Sequence, residues 1–272
     1  MPIIHHEYPI LEYSSQESAV INPRPADAPF PRLCLMTFFR EPLARLVEQY
    51  RGRVIGTYRS EMRPFEVYAL HDGSRELCAV QAAVGAAASA MLADWLYGKG
   101  VETILCCGSC GVLEDIPAGD VILPVRALRD EGASYHYLPP ARFIELDEEP
   151  ILAACAALEE AGAPYIRCTT WTTDGFYRET PEMVAYRRSE GCQVVEMECA
   201  ALAAVARFRG KRFGTLLYSG DILANPAAYD DRNWAGNHSA RDKLMSGLDG
   251  AIKRKGTVTR PFFLQKKLVY IF

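Results

Sequence analysis

Short apolar runs alternate with longer amphipathic stretches along this chain of 272 residues. The apolar runs predict strands at 33–36, 65–70, 76–82, 101–107, 121–125, 165–170, 193–195 and 213–218. Apolar residues at helical spacing predict helices from Pro42 onward, at 86–96, at 151–162, from the end of the seventh strand through Phe208, and at 240–253. A polar segment, 129–140, predicts a loop. Alternating strands and helices are typical of an α/β fold, so we predict a single-domain, three-layer α/β/α sandwich with a mixed central sheet.

The chain divides into three parts by composition. Residues 1–31 are rich in proline and polar residues and predict an irregular arm, with a neighbouring subunit as one place for it to pack. Residues 32–255 carry the alternating pattern of the domain. Residues 256–272 form a tail whose apolar end suits a pairing strand or an interface element.

Two predicted strands end on carboxylates. The sequence Val-Val-Glu-Met-Glu-Cys-Ala-Ala-Leu at 194–202 predicts a strand that passes into a helix, with Glu196 and Glu198 at the junction. The strand at 213–218 is followed by Ser-Gly-Asp, which ends at Asp221. Because ligands bind at the carboxyl ends of strands in α/β sheets, the pattern favours one site built from both strand ends. The alternatives are structural: Glu198 as an acid favoured at a helix N-terminus and Asp221 as a cap.

Charge and hydropathy exclude several classes of protein. The net charge of −4 lacks the basic footprint of a nucleic-acid-binding protein. Nowhere does the sequence approach the roughly 18 consecutive apolar residues that a membrane helix needs. The N-terminus has no basic segment followed by an apolar core, so we expect a cytoplasmic protein that binds neither membranes nor nucleic acid.

The nine cysteines favour reduced, buried thiols. Cys107 and Cys110 have the spacing of half a zinc or redox site, but a matching second pair is missing. Most of the others lie inside apolar runs, where free cysteine behaves as a small hydrophobic residue. We therefore expect no metal site.

The segment Gly-Ser-Cys-Gly at 108–111 directly follows a buried strand. Glycines let a backbone approach a ligand closely, and successive N–H groups together with a serine hydroxyl form an anion-binding nest. A plain tight turn is the alternative for two glycines at this spacing.

Five segments together resemble the nucleoside phosphorylase family, which includes uridine phosphorylase, hexameric purine nucleoside phosphorylase and the methylthioadenosine nucleosidases. They are Cys-Gly-Ser-Cys-Gly-Val-Leu at 107–113, Ile-Pro-Ala-Gly-Asp-Val-Ile at 116–122, Asp-Glu-Gly-Ala-Ser-Tyr-His-Tyr at 130–137, Thr-Asp-Gly-Phe-Tyr at 173–177 and Val-Glu-Met-Glu-Cys-Ala-Ala-Leu at 195–202. The resemblance extends from about residue 33 to residue 221. It implies a phosphorylase/hydrolase-like fold, a homo-oligomer, and cleavage of a nucleoside N-glycosidic bond with inorganic phosphate as co-substrate and no other cofactor.

The resemblance also implies roles for individual residues. Glu198 would hold the ribose hydroxyls, with Met197 under the sugar and Glu196 assisting. A carboxylate there would stabilise the ribosyl cation that forms as the bond breaks. Asp221 would protonate a purine at N7, and Phe176 would stack on the base with help from Thr172 and Thr173. Phe176 is equally compatible with a place in the core.

The base stays open between purine and uracil. Purine-cleaving relatives carry an aspartate where Asp221 stands, and Arg178 does not recover the glutamine–arginine pair that binds uracil in uridine phosphorylases. The segment 130–137, however, is more similar to the uridine enzymes. Purine is slightly favoured.

The phosphate site departs from the family pattern. Ser109, Cys110 and Gly111 match its glycine–serine turn, but the family's glycine-aspartate-proline-x-arginine loop is replaced at 36–42, where only Arg40 corresponds. Arg59, with Arg63 as a competitor, matches an arginine that relatives donate across a subunit interface. Cys106 stands where relatives carry a phosphate-binding arginine, and each lost charge-assisted contact costs about 1.5–3 kcal/mol.

We therefore predict phosphorolysis of a nucleoside to a free base and ribose 1-phosphate, with two alternatives. The first is a phosphate-independent nucleosidase with Glu41 as general base. The structural alternative for Glu41 is an ordinary acidic residue in the first turn of a helix. The second is a nucleoside-binding relative without turnover.

Overall fold

The structure is a computed structural model that describes residues 3–71, 76–118, 120–225, 229–233, 241 and 244. The strands are β1 Leu33–Thr37, β2 Arg53–Arg59, β3 Pro64–His71, β4 Glu76–Gln81, β5 Thr103–Val112, β6 Val121–Asp130, β7 Phe143–Glu145, β8 Tyr165–Thr173, β9 Cys192–Glu196 and β10 Arg212–Ile222. The helices are α1 Arg40–Gln49, α2 Ala86–Gly98, α3 Ser134–Tyr137, α4 Glu148–Glu160, α5 Pro181–Ser189 and α6 Cys199–Phe208. Short 3₁₀ turns span Pro9–Leu11 and Phe176–Arg178.

The described strands form one mixed sheet, in the order β10-β6-β8-β9-β5-β1-β4-β3-β2, with β7 paired to β6 and β10 also paired to β5. Strand β5 is parallel to both β1 and β10, and β8 is parallel to β6 and β9. The pairs β2–β3, β3–β4, β5–β9 and β6–β10 are antiparallel. The predicted α/β sandwich with a mixed sheet is confirmed.

Helix α6 is buried in the hydrophobic core, where it packs against α2. Its residues from Cys199 to Ala206 are all buried, and five of these eight are alanines. Small side chains let α6 lie close to α2, which is itself rich in alanine. Because α6 starts directly after β9, this packing fixes the strand–helix junction that carries Glu196 and Glu198.

Several elements differ from the sequence-based prediction. The predicted loop at 129–140 is wrong in part, because β6 continues to Asp130 and α3 covers Ser134–Tyr137. Strand β2 is missing from the prediction because it is only partly buried and carries Gly56, on which the Phe30 ring packs.

Helix α5 is also missing from the prediction, although its start carries a capping signal. The Thr180 side chain accepts a hydrogen bond from the Met183 N–H at 3.3 Å, and Pro181 occupies the first turn. The sequence of α5 is mostly polar, and its few apolar residues are too few to show a helical pattern.

The N-terminal segment lies along the domain. Lys99 donates from its Nζ to the carbonyl oxygen of Arg24 at 2.7 Å, and the Phe30 N–H donates to the carbonyl oxygen of Lys99 at 2.8 Å. At the other end of the chain, Arg241 and Leu244 are helical. The rest of the predicted helix at 240–253 and the tail at 256–272 lie outside the described residues. Within the described part of the chain, none of the helices has the length and apolar character needed to cross a membrane.

Candidate active site

Glu196 ends β9 and holds the start of α6. Its Oε1 accepts hydrogen bonds from the hydroxyls of Thr170 at 3.1 Å and Thr172 at 2.6 Å. Its Oε2 accepts from the backbone N–H groups of Glu198 and Cys199, both at 2.7 Å. Burial still raises the pKa of this carboxyl group, although these four donors oppose the shift. Both oxygens are therefore engaged by the protein, which assigns Glu196 to positioning the Glu198 backbone.

Replacing Glu196 by alanine is expected to lower the free energy of unfolding by about 2–4 kcal/mol, because two buried backbone N–H groups lose their acceptor. Glutamine keeps one carbonyl oxygen that can accept from both N–H groups, so Glu196→Gln should stay within about 1 kcal/mol of the wild type. Urea denaturation of both variants checks this role. Equal losses for alanine and glutamine would contradict it.

Glu198 lies at the N-cap position of α6 and is 8% exposed. Its Oε1 accepts a hydrogen bond from the Gly85 N–H, which precedes α2, at 2.5 Å. Burial, reinforced by the nearby charge of Glu196, raises the pKa of Glu198 to about 8, with N–H donation from Gly85 and Met197 opposing the shift. Such a carboxyl group carries a proton near neutral pH and becomes charged readily when a cation or hydroxyl donors arrive.

Asp221 lies on β10, beside Gly111 of β5. A Cβ atom at position 111 would sit 2.5 Å from Leu223 and 3.1 Å from Asp221 Oδ1, so the glycine makes room for the carboxyl group. The Tyr229 hydroxyl donates to Asp221 Oδ2 at 3.1 Å. Burial raises the pKa of Asp221, while Tyr229 and Arg232 oppose the shift. Asp221 thus combines partial burial with a position at the end of the sheet, which suits a proton donor.

The segment 108–111 is extended, which rules out the tight turn that was its alternative interpretation. It lies inside β5, where Ser109 and Cys110 are in register with Tyr218 and Ser219 of β10. The ladder to β10 runs along one side of this backbone, and the anion nest expected from its N–H groups stays a prediction. The half-buried Ser109 hydroxyl makes no hydrogen bond to any described residue.

The ring of Phe38 packs against the start of the segment 108–111. A Cβ atom at Gly108 would lie 2.9 Å from the ring of Phe38, so this glycine is needed for the close approach of that ring.

Cys106 is 2% exposed and uncharged, since burial raises the pKa of its thiol. All nine cysteines are free and buried. In the described ranges there is no cluster of three or more His, Cys, Asp or Glu side chains able to hold a metal ion.

The two candidate phosphate-binding arginines lie on different parts of the sheet. Arg40 is exposed and begins α1, directly after β1, which is the neighbour of β5. Arg59 is exposed at the end of the edge strand β2, four strands from β5 in the sheet order. Neither guanidinium has a hydrogen bond or ion pair with a described residue. One copy of the chain therefore brings Arg40 towards Ser109 but leaves Arg59 at the far edge.

The 3₁₀ turn Phe176–Arg178 follows the end of β8. Phe176 is 45% exposed, so it is not a core residue, and its ring lies edge-on to Tyr177 with 5.0 Å between centroids. Thr172 is fully engaged by Glu196 and by the Ala200 N–H, which makes it a positioning residue. Met197 is half-buried between the two glutamates.

Glu179, next to this turn, is absent from the sequence-based prediction. It is half-buried, and burial together with the charge of Asp221 raises its pKa to about 7. In the sequence, Glu179 is distinguished only by its place three residues after Phe176. A single sequence does not separate such a residue from an ordinary acidic residue that precedes a helix.

The segment 130–137, which resembled the uridine enzymes, is occupied with holding the fold. Asp130 Oδ2 accepts from Trp171 Nε1 at 2.9 Å and from Arg187 Nη2 at 2.8 Å. Glu131 accepts from the Ser134 N–H, and Tyr135 donates to the carbonyl oxygen of Arg129 at 2.9 Å. These contacts give the segment a structural role, so its similarity to the uridine enzymes is weak evidence for uracil as the base.

The fold is that of an α/β protein, and the candidate residues Glu198 and Asp221 lie after β9 and on β10, the two strands that flank the end of β5. The chain belongs to the phosphorylase superfamily, whose family model matches residues 32–246. A guanosine phosphorylase of Halorubrum lacusprofundi is 30% identical over 188 residues, which cover 69% of this chain and 76% of that protein.

Two solved structures share the architecture. An AMP nucleosidase from Bacteroides thetaiotaomicron is 25% identical, with a TM-score of 0.65 over 81% of this chain and 87% of that chain. A uridine phosphorylase from Vibrio fischeri is 20% identical, with a TM-score of 0.69 over 82% and 91% of the two chains, a likeness of fold alone. The resemblance to the nucleoside phosphorylase family is confirmed.

Proposed function

We propose that this protein cleaves the N-glycosidic bond of a nucleoside, with purine favoured over uracil and inorganic phosphate as the acceptor of the ribosyl group. The observation that carries the proposal is the buried Glu198 carboxyl group, with a pKa of about 8, at the strand–helix junction beside Met197. Burial of a carboxyl group without a cationic partner is costly, and Glu198, unlike Glu196, has an oxygen that no described donor engages, which supports a role in binding substrate.

Glu198 acts on the ribose. Two ribose hydroxyls donate hydrogen bonds to its carboxylate, and both donors favour the charged form. As the glycosidic bond breaks, positive charge develops on the sugar ring, and the carboxylate is attracted more strongly than in the ground state. Met197 supplies the apolar surface beneath the sugar.

Asp221 acts on the base. A purine leaves more readily when a proton reaches N7, and the raised pKa of Asp221 favours the protonated donor. Phe176 presents an exposed ring, next to the Glu179–Asp221 side of the site, on which a base can stack. With the uridine-like segment 130–137 explained by structural contacts, the purine assignment rests on Asp221.

Phosphate binding involves more than one copy of the chain. Ser109 and Arg40 lie on adjacent strands β5 and β1 or directly after them. Arg59, at the far edge of the sheet, reaches such a site only from a neighbouring copy. This arrangement supports a homo-oligomer whose site is completed across an interface.

Substitution of the two arginines tests phosphate binding. Arg40→Ala and Arg59→Ala should each raise the KM for phosphate about 10–100-fold with a smaller change in the KM for nucleoside, because each removes one charge-assisted contact. Arg53→Ala, at the other end of β2 and paired with Glu76, is the matched control and should leave the KM unchanged. An unchanged KM for phosphate in both test variants would reject these assignments.

Hydrolysis is the second candidate, and the buried, neutral Cys106 in place of an arginine favours it. The similarity to the AMP nucleosidase structure also supports hydrolysis. Glu41, in the first turn of α1, is then the candidate general base. Hydrolysis would be established if the base is released at the same rate with and without phosphate and if Glu41→Gln abolishes that release. If the protein binds nucleoside but releases no base, it is a nucleoside-binding protein without turnover.

A further inference from the structure

A backbone N–H from another part of the chain is directed at Glu198. The N–H of Gly85, in the loop between β4 and α2, donates to Glu198 Oε1 at 2.5 Å. Gly85 is the N-cap residue of α2, as Glu198 is of α6, so the carboxyl group lies where two helices begin. Helix N-termini carry partial positive charge, which favours the carboxylate. The bond from Gly85 fixes one oxygen of Glu198 and leaves the other for a ligand.

The backbone of Gly85 has a conformation that other residues avoid. Its φ is +92° and its ψ is 146°. A positive φ with an extended ψ is occupied almost only by glycine, because a Cβ atom there clashes with its own backbone. A Cβ atom built at Gly85 meets nothing within 4 Å, so packing does not require a glycine here. The glycine is explained by the direction of its backbone, which determines where its N–H points.

Hydrogen bonds hold the loop on both sides of Gly85. The Ala82 N–H donates to the carbonyl oxygen of Thr37 at 2.8 Å, which anchors the loop to the end of β1. The buried Ser89 hydroxyl donates to the carbonyl oxygen of Ala83, and the Ser89 N–H donates to that of Gly85 at 3.0 Å. The loop is therefore a fixed mount for the Gly85 N–H.

Helix α2 has no capping side chain of its own. It begins with three alanines, and its N-cap residue is a glycine. In a capping box, a glutamate in the first turn accepts from the N-cap N–H of the same helix. Here Glu198, at the start of α6, takes that place for α2. The start of α2 and the orientation of Glu198 are thus coupled through one hydrogen bond.

We propose that Gly85 is a positioning residue of the active site: its positive-φ backbone directs its N–H at Glu198 and so holds the carboxylate in the orientation that receives the ribose hydroxyls. This inference rests on the proposed function, because it assumes that Glu198 binds a ribosyl group. It adds a residue that acts through Glu198 and not on the substrate. An alanine at position 85 favours a negative φ, which rotates the N–H away from Glu198.

The first test compares kcat/KM for a purine nucleoside in the full-length wild type and in Gly85→Ala. The substitution should lower kcat/KM about 10–100-fold, because Glu198 loses a charge-assisted hydrogen bond and its fixed orientation. Gly210→Ala is the matched control. Gly210 also has a positive φ, +62°, with nothing within 4 Å of a built Cβ atom, and it lies just after the other end of α6. Its kcat/KM should stay within about threefold of the wild type.

Two further readouts separate positioning from a structural role. The rise of kcat/KM with pH follows the ionisation of Glu198, and without the Gly85 donor it should move to higher pH by about 1–2 pH units. The charges of Glu196 and Asp174, which also act on Glu198, are unchanged by Gly85→Ala. In a Glu198→Gln background, Gly85→Ala should reduce kcat/KM by no more than about threefold, because the charge that it positions is absent.

Kinetics and a pH profile of Gly85→Ala that match those of Gly210→Ala would overturn the proposal. An equal loss in the wild-type and Glu198→Gln backgrounds would also overturn it, because Gly85 would then act independently of Glu198.

Nuclear magnetic resonance decides the point if Gly85→Ala does not fold, or if the wild type cleaves no nucleoside and the proposed function fails. In the wild type, the amide resonance of Gly85 should shift with pH as Glu198 ionises, and this shift should vanish in Glu198→Gln. That result supports the directed N–H. A Gly85 resonance that shifts equally in both proteins, or in neither, rejects it.

Discussion

Glu198→Gln is expected to lower kcat/KM for nucleoside cleavage about 10²–10³-fold, because a neutral amide cannot stabilise a ribosyl cation as a carboxylate does. Glutamine matches glutamate in shape, and its carbonyl oxygen can still accept from the Gly85 N–H. The loss should therefore fall mainly on kcat, with a smaller rise in KM from the ribose hydroxyls. Steady-state kinetics with one purine nucleoside measures both.

The same substitution should change the pH dependence of stability. Since burial raises the pKa of Glu198 from 4.5 to about 8, its contribution to stability is complete below pH 4.5 and is lost as the pH rises through 8. Glu198→Gln has no charge to bury, so its melting temperature should exceed that of the wild type increasingly from pH 5 to pH 9. By pH 9 the difference in unfolding free energy is on the order of 3–5 kcal/mol.

Two results would contradict this account of Glu198. Activity within about threefold of the wild type would remove the carboxylate from the chemistry. A melting-temperature difference that does not change between pH 5 and pH 9 would mean that Glu198 is not a buried acid with a raised pKa. Glu182→Gln serves as the control for both measurements, since Glu182 is exposed on α5.

Asp221→Asn is expected to lower cleavage of ordinary purine nucleosides about 10²–10⁴-fold, the usual contribution of a positioned general acid. Asparagine keeps an oxygen that can accept from the Tyr229 hydroxyl, so the local structure should persist. A nucleoside methylated at N7 already carries the positive charge that protonation would create. Its cleavage should therefore be nearly unaffected by Asp221→Asn.

The contrast between the two substrates makes the role of Asp221 specific. Asp231→Asn removes an exposed charge that also acts on Asp221 and should leave both substrates close to wild-type rates. If Asp221→Asn slows the N7-methylated nucleoside as much as the ordinary one, Asp221 is needed for binding or folding and not as the proton donor.

The parts of the fold that the sequence predicted are those with apolar runs buried on both faces. The runs at 101–107 and 213–218 correspond to the buried β5 and β10, and the small-residue pattern after Glu198 corresponds to α6. The ends of these elements were less predictable. Glycines at 108 and 111 suggested a turn, but they mark places where Phe38 and Asp221 lie against a strand that continues.

The residues of the candidate site also differ in how far the sequence predicts them. Glu198 and Asp221 follow strongly apolar strands, so their positions could be inferred from the chain alone. The structural role of Glu196 could not be predicted from sequence, because its four hydrogen-bond donors come from β8 and from the start of α6. Glu179 could not be found because its burial and its nearness to Asp221 arise only when β8 and β10 fold together.

Release of free base from a panel of nucleosides tests the central proposal most directly. Guanosine, inosine, adenosine, uridine and methylthioadenosine would each be incubated with the purified protein, with and without inorganic phosphate, and the products separated by chromatography. We expect release of a purine base with formation of ribose 1-phosphate only when phosphate is present, and loss of that release in Glu198→Gln. Intact nucleosides under every condition, or release that persists in Glu198→Gln, would contradict it.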